Sequence, residues 1–173
     1  RDSAKRILVF EKSKKNQRAL KRFKLKFQLI KKMDKKISEC DFIVICAPLS
    51  EYKKIFLACN KYSKKNILIT DVGSAKRDTI TKINRIKRKD INWISSHPIA
   101  GSEVSGPLNG NENLFVNKWS VIIKQKKSQA KEMKKILKFW KLLGSKTVTM
   151  DANQHDKIFA ITSHLPHLIA YNL

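Results

Sequence analysis

The stretch "NILITDVGSAK", residues 66–76, decides the fold because a strand, a tight turn and the start of a helix follow one another within it. Its first part is a short, continuous apolar run, which is typical of a strand buried on both faces. Gly73 permits a tight turn. The next residues, 75–87, place isoleucines three apart on one helix face. The stretch therefore predicts a buried strand that turns directly into an amphipathic helix.

The same unit recurs along the chain. Further strand-like runs lie at residues 6–11, 41–48, 91–96, 118–124 and 146–150, and helical patterns at residues 13–23, 50–62 and 128–144. Apolar strands that alternate with helices predict an α/β fold, with a Rossmann-like, doubly wound, mostly parallel sheet. From Asp151 onward we expect one long helix, with Asp151 and Gln154 as a capping box and a kink at Pro166.

The 173 residues carry a formal net charge of +24, mostly from lysines scattered over the whole length. A basic chain can bind nucleic acid, but arginine recognises bases and phosphates better than lysine does. Lys, Ile and Asn share codons made only of A and T, so a biased genome gives the same charge without any partner. The composition favours no nucleic-acid partner and leaves attraction of small anionic ligands open.

The chain has no apolar run near the ~20 residues of a membrane span, so no membrane partner is expected. Its three cysteines suit buried, reduced thiols of a cytoplasmic protein. The sequence begins with Arg1 and stops at Leu173 inside a helical pattern. We therefore expect an internal piece of a longer protein.

Ligands of such sheets lie beyond the carboxyl ends of the strands, so the residues found there are the candidates. Glu11 ends an apolar run and is placed to accept hydrogen bonds from a ribose, unless it is only a surface acid. Ala47 and Pro48 allow a flat nucleotide to lie close to the backbone, or simply form a strand–helix turn. Ser74 can cap the next helix, point into the cleft, or do both.

The loop "SSHPIAGSEVSG", residues 95–106, is the most specific candidate, because it holds no lysine in a lysine-rich chain. Pro98 fixes the backbone after His97. A histidine at a strand end can accept a proton from a hydroxyl near neutral pH. His97 is thus a candidate base, although a lone histidine is more often structural.

Three histidines lie near the end of the chain, at His155, His164 and His167. His164 and His167 could share a helix face. No cysteine or carboxylate follows at a convincing ligand spacing, and the expected kink lies between the two. The sequence therefore predicts no metal site.

Taken together, these motifs resemble the prephenate/arogenate dehydrogenase family of tyrosine biosynthesis. The resemblance is carried by "DVGSAK" (71–76), "SHPIAGSEVSG" (96–106), Leu114, Phe115 and Trp119, the segment 140–144, and the "HD…SHLPH…AY-L" pattern from residue 155 on. It implies a nucleotide-binding domain at residues 1–150, without its first strand and Gly-rich loop. It also implies the start of an all-helical dimerisation domain at residues 151–173, and a homodimer.

The resemblance implies an NAD(P)-dependent oxidative decarboxylation of prephenate to 4-hydroxyphenylpyruvate, or of arogenate to tyrosine. The implied catalytic residues are His97 and Ser74, and the substrate-binding residues are Ser102, Glu103, Ser163 and His167. The implied cofactor-binding residues are Glu11, Ala47, Pro48, Ser74 and Ser96. NAD is expected rather than NADP because a carboxylate repels a 2′-phosphate, although Lys12 and Lys14 lie close by.

One departure concerns the arginine that grips the substrate carboxylate from the helical domain of this family. The last arginine here is Arg88, in the nucleotide-binding part. The arginine that binds the substrate carboxylate is therefore expected beyond Leu173. The chain alone is expected to bind NAD+ poorly and not to turn over. Two other classes stay open: a basic nucleic-acid-binding domain, and a non-catalytic dinucleotide sensor. The presence of His97 and Glu103 argues against the sensor.

Overall fold

The computed structural model of the protein describes residues 6–23, 25–101, 106–124 and 130–164, with the last two of these by their backbone alone. Its first part is a pair of parallel strands, β1 (Leu8–Phe10) and β2 (Gln28–Ile30). Helix α1 (Lys14–Leu20) joins them and begins at Ser13, whose hydroxyl caps it by accepting from the backbone N–H of Asn16 at 3.3 Å. Strand β2 was not predicted, because three residues among lysines make no recognisable apolar run.

The centre of the molecule is a parallel sheet of three strands in the order β3 (Phe42–Ile45), β4 (Leu68–Asp71) and β5 (Asn92–Trp93). Helices α2 (Tyr52–Tyr62) and α3 (Arg77–Ile86) connect these strands. Their apolar faces cover a core that includes Phe56 and Trp93, whose ring centroids are 5.0 Å apart. Strands with helices between them confirm the predicted α/β fold.

The third part contains strands β6 (Ser96–Pro98), β7 (Trp119–Ile123) and β8 (Lys146–Met150). Strand β6 runs antiparallel to β7, whereas β7 and β8 are parallel. Four of the five described strand pairs are parallel, so the pairing is mostly parallel as predicted. The single strand predicted at residues 91–96 is wrong: the chain instead forms β5 and then β6. The Thr70 hydroxyl donates to the Ile94 carbonyl at 2.8 Å and lies 2.7 Å from the Ser96 hydroxyl, and these two contacts hold the bend against β4.

Helix α4 (Ala130–Leu142) packs its buried face over the third part of the sheet. Gly144 ends it with φ +86°, a left-handed conformation that favours glycine. Its side chains Lys131, Lys134, Lys135, Lys138 and Lys141 are exposed. This is the usual solvated face of an amphipathic helix, so it gives no specific reason to invoke a polyanion.

Helix α5 (Ala152–Phe159) follows β8 directly, and the Asp151 carboxylate caps it by accepting from the backbone of residues 153 and 154. The cap was predicted, but one regular helix was not obtained, because Ala160–His164 forms a π-helical turn. The kink expected at Pro166 lies outside the described residues. The division at residue 150 stays a prediction.

No described helix is long and apolar enough to cross a membrane. The three cysteines are free, but only Cys59 is buried; Cys40 is half-buried and Cys46 is exposed. The expectation of buried thiols was therefore wrong for Cys46, which lies just past the end of β3, where the chain leaves the sheet.

Candidate active site

Four of the five predicted cofactor contacts lie in turns that follow the carboxyl end of a parallel strand. Glu11 follows β1, Ala47 and Pro48 follow β3, and Ser74 follows β4. Ala47 is partly buried, and its side chain packs against the core, whereas Pro48 and Ser74 are exposed. These positions are the ones at which open α/β sheets bind their ligands.

The carboxylate of Glu11 is held in place by its own turn. Its Oε1 accepts from the backbone N–H of Ser13 at 2.7 Å, and its Oε2 accepts from the Asn16 amide at 3.4 Å. A carboxylate can accept about four hydrogen bonds, so capacity is left for two ribose hydroxyls. The adjacent Lys12 ammonium lies 3.5 Å from a carboxylate oxygen of Glu51.

Gly73 packs closely against neighbouring side chains where the β4 turn begins. A Cβ atom at this position would lie 2.6 Å from Leu49 Cδ2 and 2.8 Å from the Tyr52 hydroxyl. The turn is therefore built for a residue without a side chain. The missing side chain also lets the next residue, Ser74, leave the sheet edge with its hydroxyl exposed.

The Ser74 hydroxyl does not cap α3, contrary to one of the two roles considered from the sequence. The cap comes from Asp156 on α5, eighty residues along the chain. Its Oδ1 accepts from the backbone N–H of Lys76 at 3.1 Å, and its Oδ2 accepts from that of Arg77 at 2.9 Å. Ser74 itself is exposed, and its predicted role in the cleft stays a prediction.

The half-buried His97 ring belongs to a chain of three side chains. Its Nδ1 lies 2.8 Å from Nε2 of the fully buried His155, whose Nδ1 lies 2.7 Å from Oδ1 of Asp156. The ring of Phe159 packs on both histidines, with centroid distances of 5.1 Å and 4.6 Å. His97 is therefore held on one side by a buried, polar, directional contact.

The electrostatics of Asp156 suit this position. Burial alone would raise its pKa, but hydrogen bonds from the α3 backbone and from His155 outweigh it, so that the pKa of Asp156 lies below its ordinary value. The group is a carboxylate at neutral pH and acts only as an acceptor.

Ser96 does not face the cleft, and its predicted contact with the cofactor is not supported. Its hydroxyl is fully buried, donates to the Asp71 carbonyl at 2.8 Å and accepts from Trp140 Nε1 at 3.0 Å. Side chains alternate along a strand, so Ser96 and Pro98 point into the core while His97 points to the other face.

A buried ion pair beneath this edge was not predicted. The Lys76 ammonium, fully buried, lies 2.8 Å from Asp71 Oδ2 and also donates to the Ser95 hydroxyl and the Ser96 carbonyl. Burial lowers the pKa of Lys76, while Asp71 acts in the opposite direction. No sequence signal distinguishes this lysine from the many others, apart from its place in "DVGSAK".

The remaining predicted site residues cannot be placed. Ser102, Glu103 and His167 lie outside the described residues, and Ser163 is described only by its backbone, in the π-helical turn. Among described residues, no group of three or more His, Cys, Asp or Glu side chains is arranged to hold a metal ion.

The fold and this sheet edge together define a nucleotide-binding α/β domain of the dehydrogenase type. Residues 1–149 match the family model described as "Prephenate dehydrogenase, nucleotide-binding domain". The chain belongs to that family.

Individual relatives agree with this assignment. The chain is 32% identical over 137 residues to a cyclohexadienyl dehydrogenase of Zymomonas mobilis, covering 79% of the chain and 46% of that protein. It is 31% identical to a prephenate dehydrogenase of Lactococcus lactis, covering 78% and 37%. The chain thus spans less than half the length of these two relatives.

A solved structure shows the same fold. The prephenate dehydrogenase of Aquifex aeolicus in complex with hydroxyphenyl propionate and NAD+ superposes with a TM-score of 0.87 at 24% identity, covering 99% of this chain and 59% of that one.

Proposed function

We propose that this chain is the nucleotide-binding and base-carrying part of an NAD-dependent prephenate dehydrogenase. The observation that carries the proposal is the placement of His97: within a domain of this family, its ring is held from one side at the carboxyl edge of the sheet. A histidine in this position can accept a proton from a substrate hydroxyl.

The reaction balances with a single base. A bound NAD+ would supply the acceptor for the hydride that leaves the ring carbon carrying the hydroxyl. His97 takes the hydroxyl proton, and the bond to the ring carboxylate breaks to release carbon dioxide as the ring becomes aromatic. The proton returns to the phenolic oxygen, so that no net proton is released. Aromatisation supplies much of the driving force, and the protein mainly positions the groups.

The described residues suit a dinucleotide. The Glu11 carboxylate offers acceptors for ribose hydroxyls, and the small residues Ala47 and Pro48 after β3 would let a flat nucleotide lie close to the backbone. We expect NAD rather than NADP because Glu11 would repel a 2′-phosphate. The side chain of Lys12, which could oppose this preference, pairs with Glu51.

The other assignments are part of the same proposal. Ser74 would hydrogen-bond near the base and the nicotinamide. Ser102, Glu103, Ser163 and His167 would line the substrate pocket. Residues 151–173 would begin a helical domain through which a cytoplasmic homodimer forms. That domain would also supply an arginine for the substrate carboxylate.

Prephenate is the preferred substrate of the proposal and arogenate is the alternative. The experiment measures NADH formation by absorbance, with the longest form of the protein that the gene encodes and with each substrate paired with NAD+ and NADP+. Prephenate with NAD+ should give the highest kcat/KM. Turnover with arogenate but not with prephenate would make arogenate the substrate. No turnover with any pair of substrate and cofactor would reject the proposal.

A further inference from the structure

We propose that His155 and Asp156 are positioning residues that fix which ring nitrogen of His97 carries the proton, and that they do so only while α5 is docked on the start of α3. The inference rests on the proposed function, because it explains why His97 can act as the base. It assigns a role to two side chains that touch neither substrate nor cofactor in that proposal.

The order of the three side chains determines the direction of every hydrogen bond. Asp156 is a carboxylate and can only accept, so Nδ1 of His155 must donate to it. The proposal takes His155 as a neutral ring whose one proton lies on Nδ1, so that its Nε2 is an acceptor. Nδ1 of His97 must then donate to that atom. The lone pair of His97 is left on Nε2.

This tautomer is the one that the reaction needs. A base must offer a lone pair towards the substrate hydroxyl, and Nε2 is the ring nitrogen on the side away from His155. After the proton arrives, His97 carries a positive charge and its Nδ1–H bond to His155 strengthens. Asp156 stabilises that charge through His155, as the carboxylate does in a serine-protease triad.

The docking of α5 on α3 holds the carboxylate in place. Oδ1 of Asp156 serves both His155 and the Lys76 backbone, while Oδ2 serves the Arg77 backbone. The Lys76 side chain in turn reaches the carbonyl of Ser96, next to His97. If α5 moved away, α3 would lose its N-terminal cap. The same movement would remove the hydrogen bonds that hold the proton of His97 on Nδ1.

The direct test is 15N NMR of the protein with labelled histidines, which number four. Spectra are recorded about two units above the ordinary histidine pKa of ~6.5, where the rings are neutral. His97→Asn identifies the His97 signals. The proposal expects His97 and His155 both to be protonated on Nδ1. A His97 ring protonated on Nε2 would overturn it.

Two matched variants test the role of the carboxylate. Asp156→Asn and Asp78→Asn each remove one negative charge from the start of α3, but the Asp78 side chain is exposed and pairs with Lys82. Only Asp156→Asn should move His97 towards the Nε2–H tautomer. It should lower kcat by roughly 10–100-fold, as substitution of residues that orient a functional histidine does, with KM nearly unchanged.

His155→Phe provides an independent variant, because it keeps a ring against Phe159 and removes both nitrogens. It should reproduce the tautomer change and the fall in kcat. Wild-type kcat and an unchanged His97 spectrum in this variant would overturn the inference. The spectra need no substrate, so a wild-type protein with the expected tautomers and no turnover would reject the proposed function alone.

Discussion

The Nζ atom of Lys76 lies 2.8 Å from Oδ2 of Asp71, and both side chains are buried, at 0% and 1% exposed. Asp71 ends β4 and Lys76 precedes α3, so the pair closes the turn that carries Ser74. Its carboxylate also accepts from the Tyr52 hydroxyl and from Trp93 Nε1, at 3.0 Å each. The pair therefore fixes the sheet edge on which the site is built.

Removing the lysine from this buried ion pair should lower the stability of the fold. Lys76→Met leaves the Asp71 charge buried without its counter-ion, and we expect the free energy of unfolding to fall by about 3–5 kcal/mol. Urea denaturation measures it. The control is Lys82→Met, which breaks an exposed pair on the same helix and should change stability by less than ~0.5 kcal/mol. Equal changes in the free energy of unfolding for the two variants would contradict the claim that the buried pair stabilises this edge of the sheet.

A methyl group at Gly73 should disturb the same turn. Gly73→Ala places a Cβ within 3 Å of Leu49 and of the Tyr52 hydroxyl, which is itself bonded to Asp71. Overpacking of this kind should lower stability by about 1–3 kcal/mol. Gly101→Ala is the matched control, because its new methyl group would have no described atom within 4 Å. Thermal unfolding compares the two, and a larger loss for Gly101→Ala would contradict the description of the turn.

Ser74→Ala distinguishes between two roles of the Ser74 hydroxyl, which are capping of α3 and a contact near the proposed base. Because Asp156 caps α3 and Ser74 is exposed, the variant should keep its stability within ~0.5 kcal/mol. If the proposed contact near the base is made, kcat should fall by at least about tenfold. A fall in stability together with unchanged kcat would reverse both assignments.

Acid should remove the contribution that the Asp156 carboxylate makes to the free energy of unfolding. Its pKa is lower in the folded protein than its ordinary value of 3.8, so the folded state favours the carboxylate. The stabilisation is complete above that ordinary value and is lost as the pH falls through the folded pKa. Relative to Asp156→Asn, the wild type should be more stable by about 1 kcal/mol at neutral pH, a typical cap contribution, with the difference closing in acid. Urea denaturation across pH checks this, and a difference that persists in acid would contradict it.

The sequence predicted the central sheet well because its strands are apolar on both faces, a pattern that only burial between helices explains. It missed β2 because three residues among lysines carry no periodicity. The sequence pattern placed Ser96 in the site because neighbouring residues at the strand end were assigned to the cleft, without regard to the face of the strand on which each side chain lies. The alternation of side chains along β6 turns Ser96 inward and His97 outward.

The contact between His97 and His155 could not be predicted from spacing. The two residues are 58 positions apart, and they meet only because α5 returns across the start of α3. The sequence pointed to His155 and Asp156 as part of a family pattern and as neighbours of a conceivable metal site. Their arrangement as a hydrogen-bonded chain depends on tertiary packing alone.

The most direct test of the account is the turnover of His97→Asn with prephenate and NAD+, made in the longest form of the protein that the gene encodes. NADH formation is followed by its absorbance. An asparagine amide can still donate to His155 but offers no basic nitrogen to the substrate. We predict that kcat falls by about 10²–10⁴-fold, while NAD+ binding measured by calorimetry stays at the wild-type level. Wild-type turnover in this variant would show that another group takes the proton.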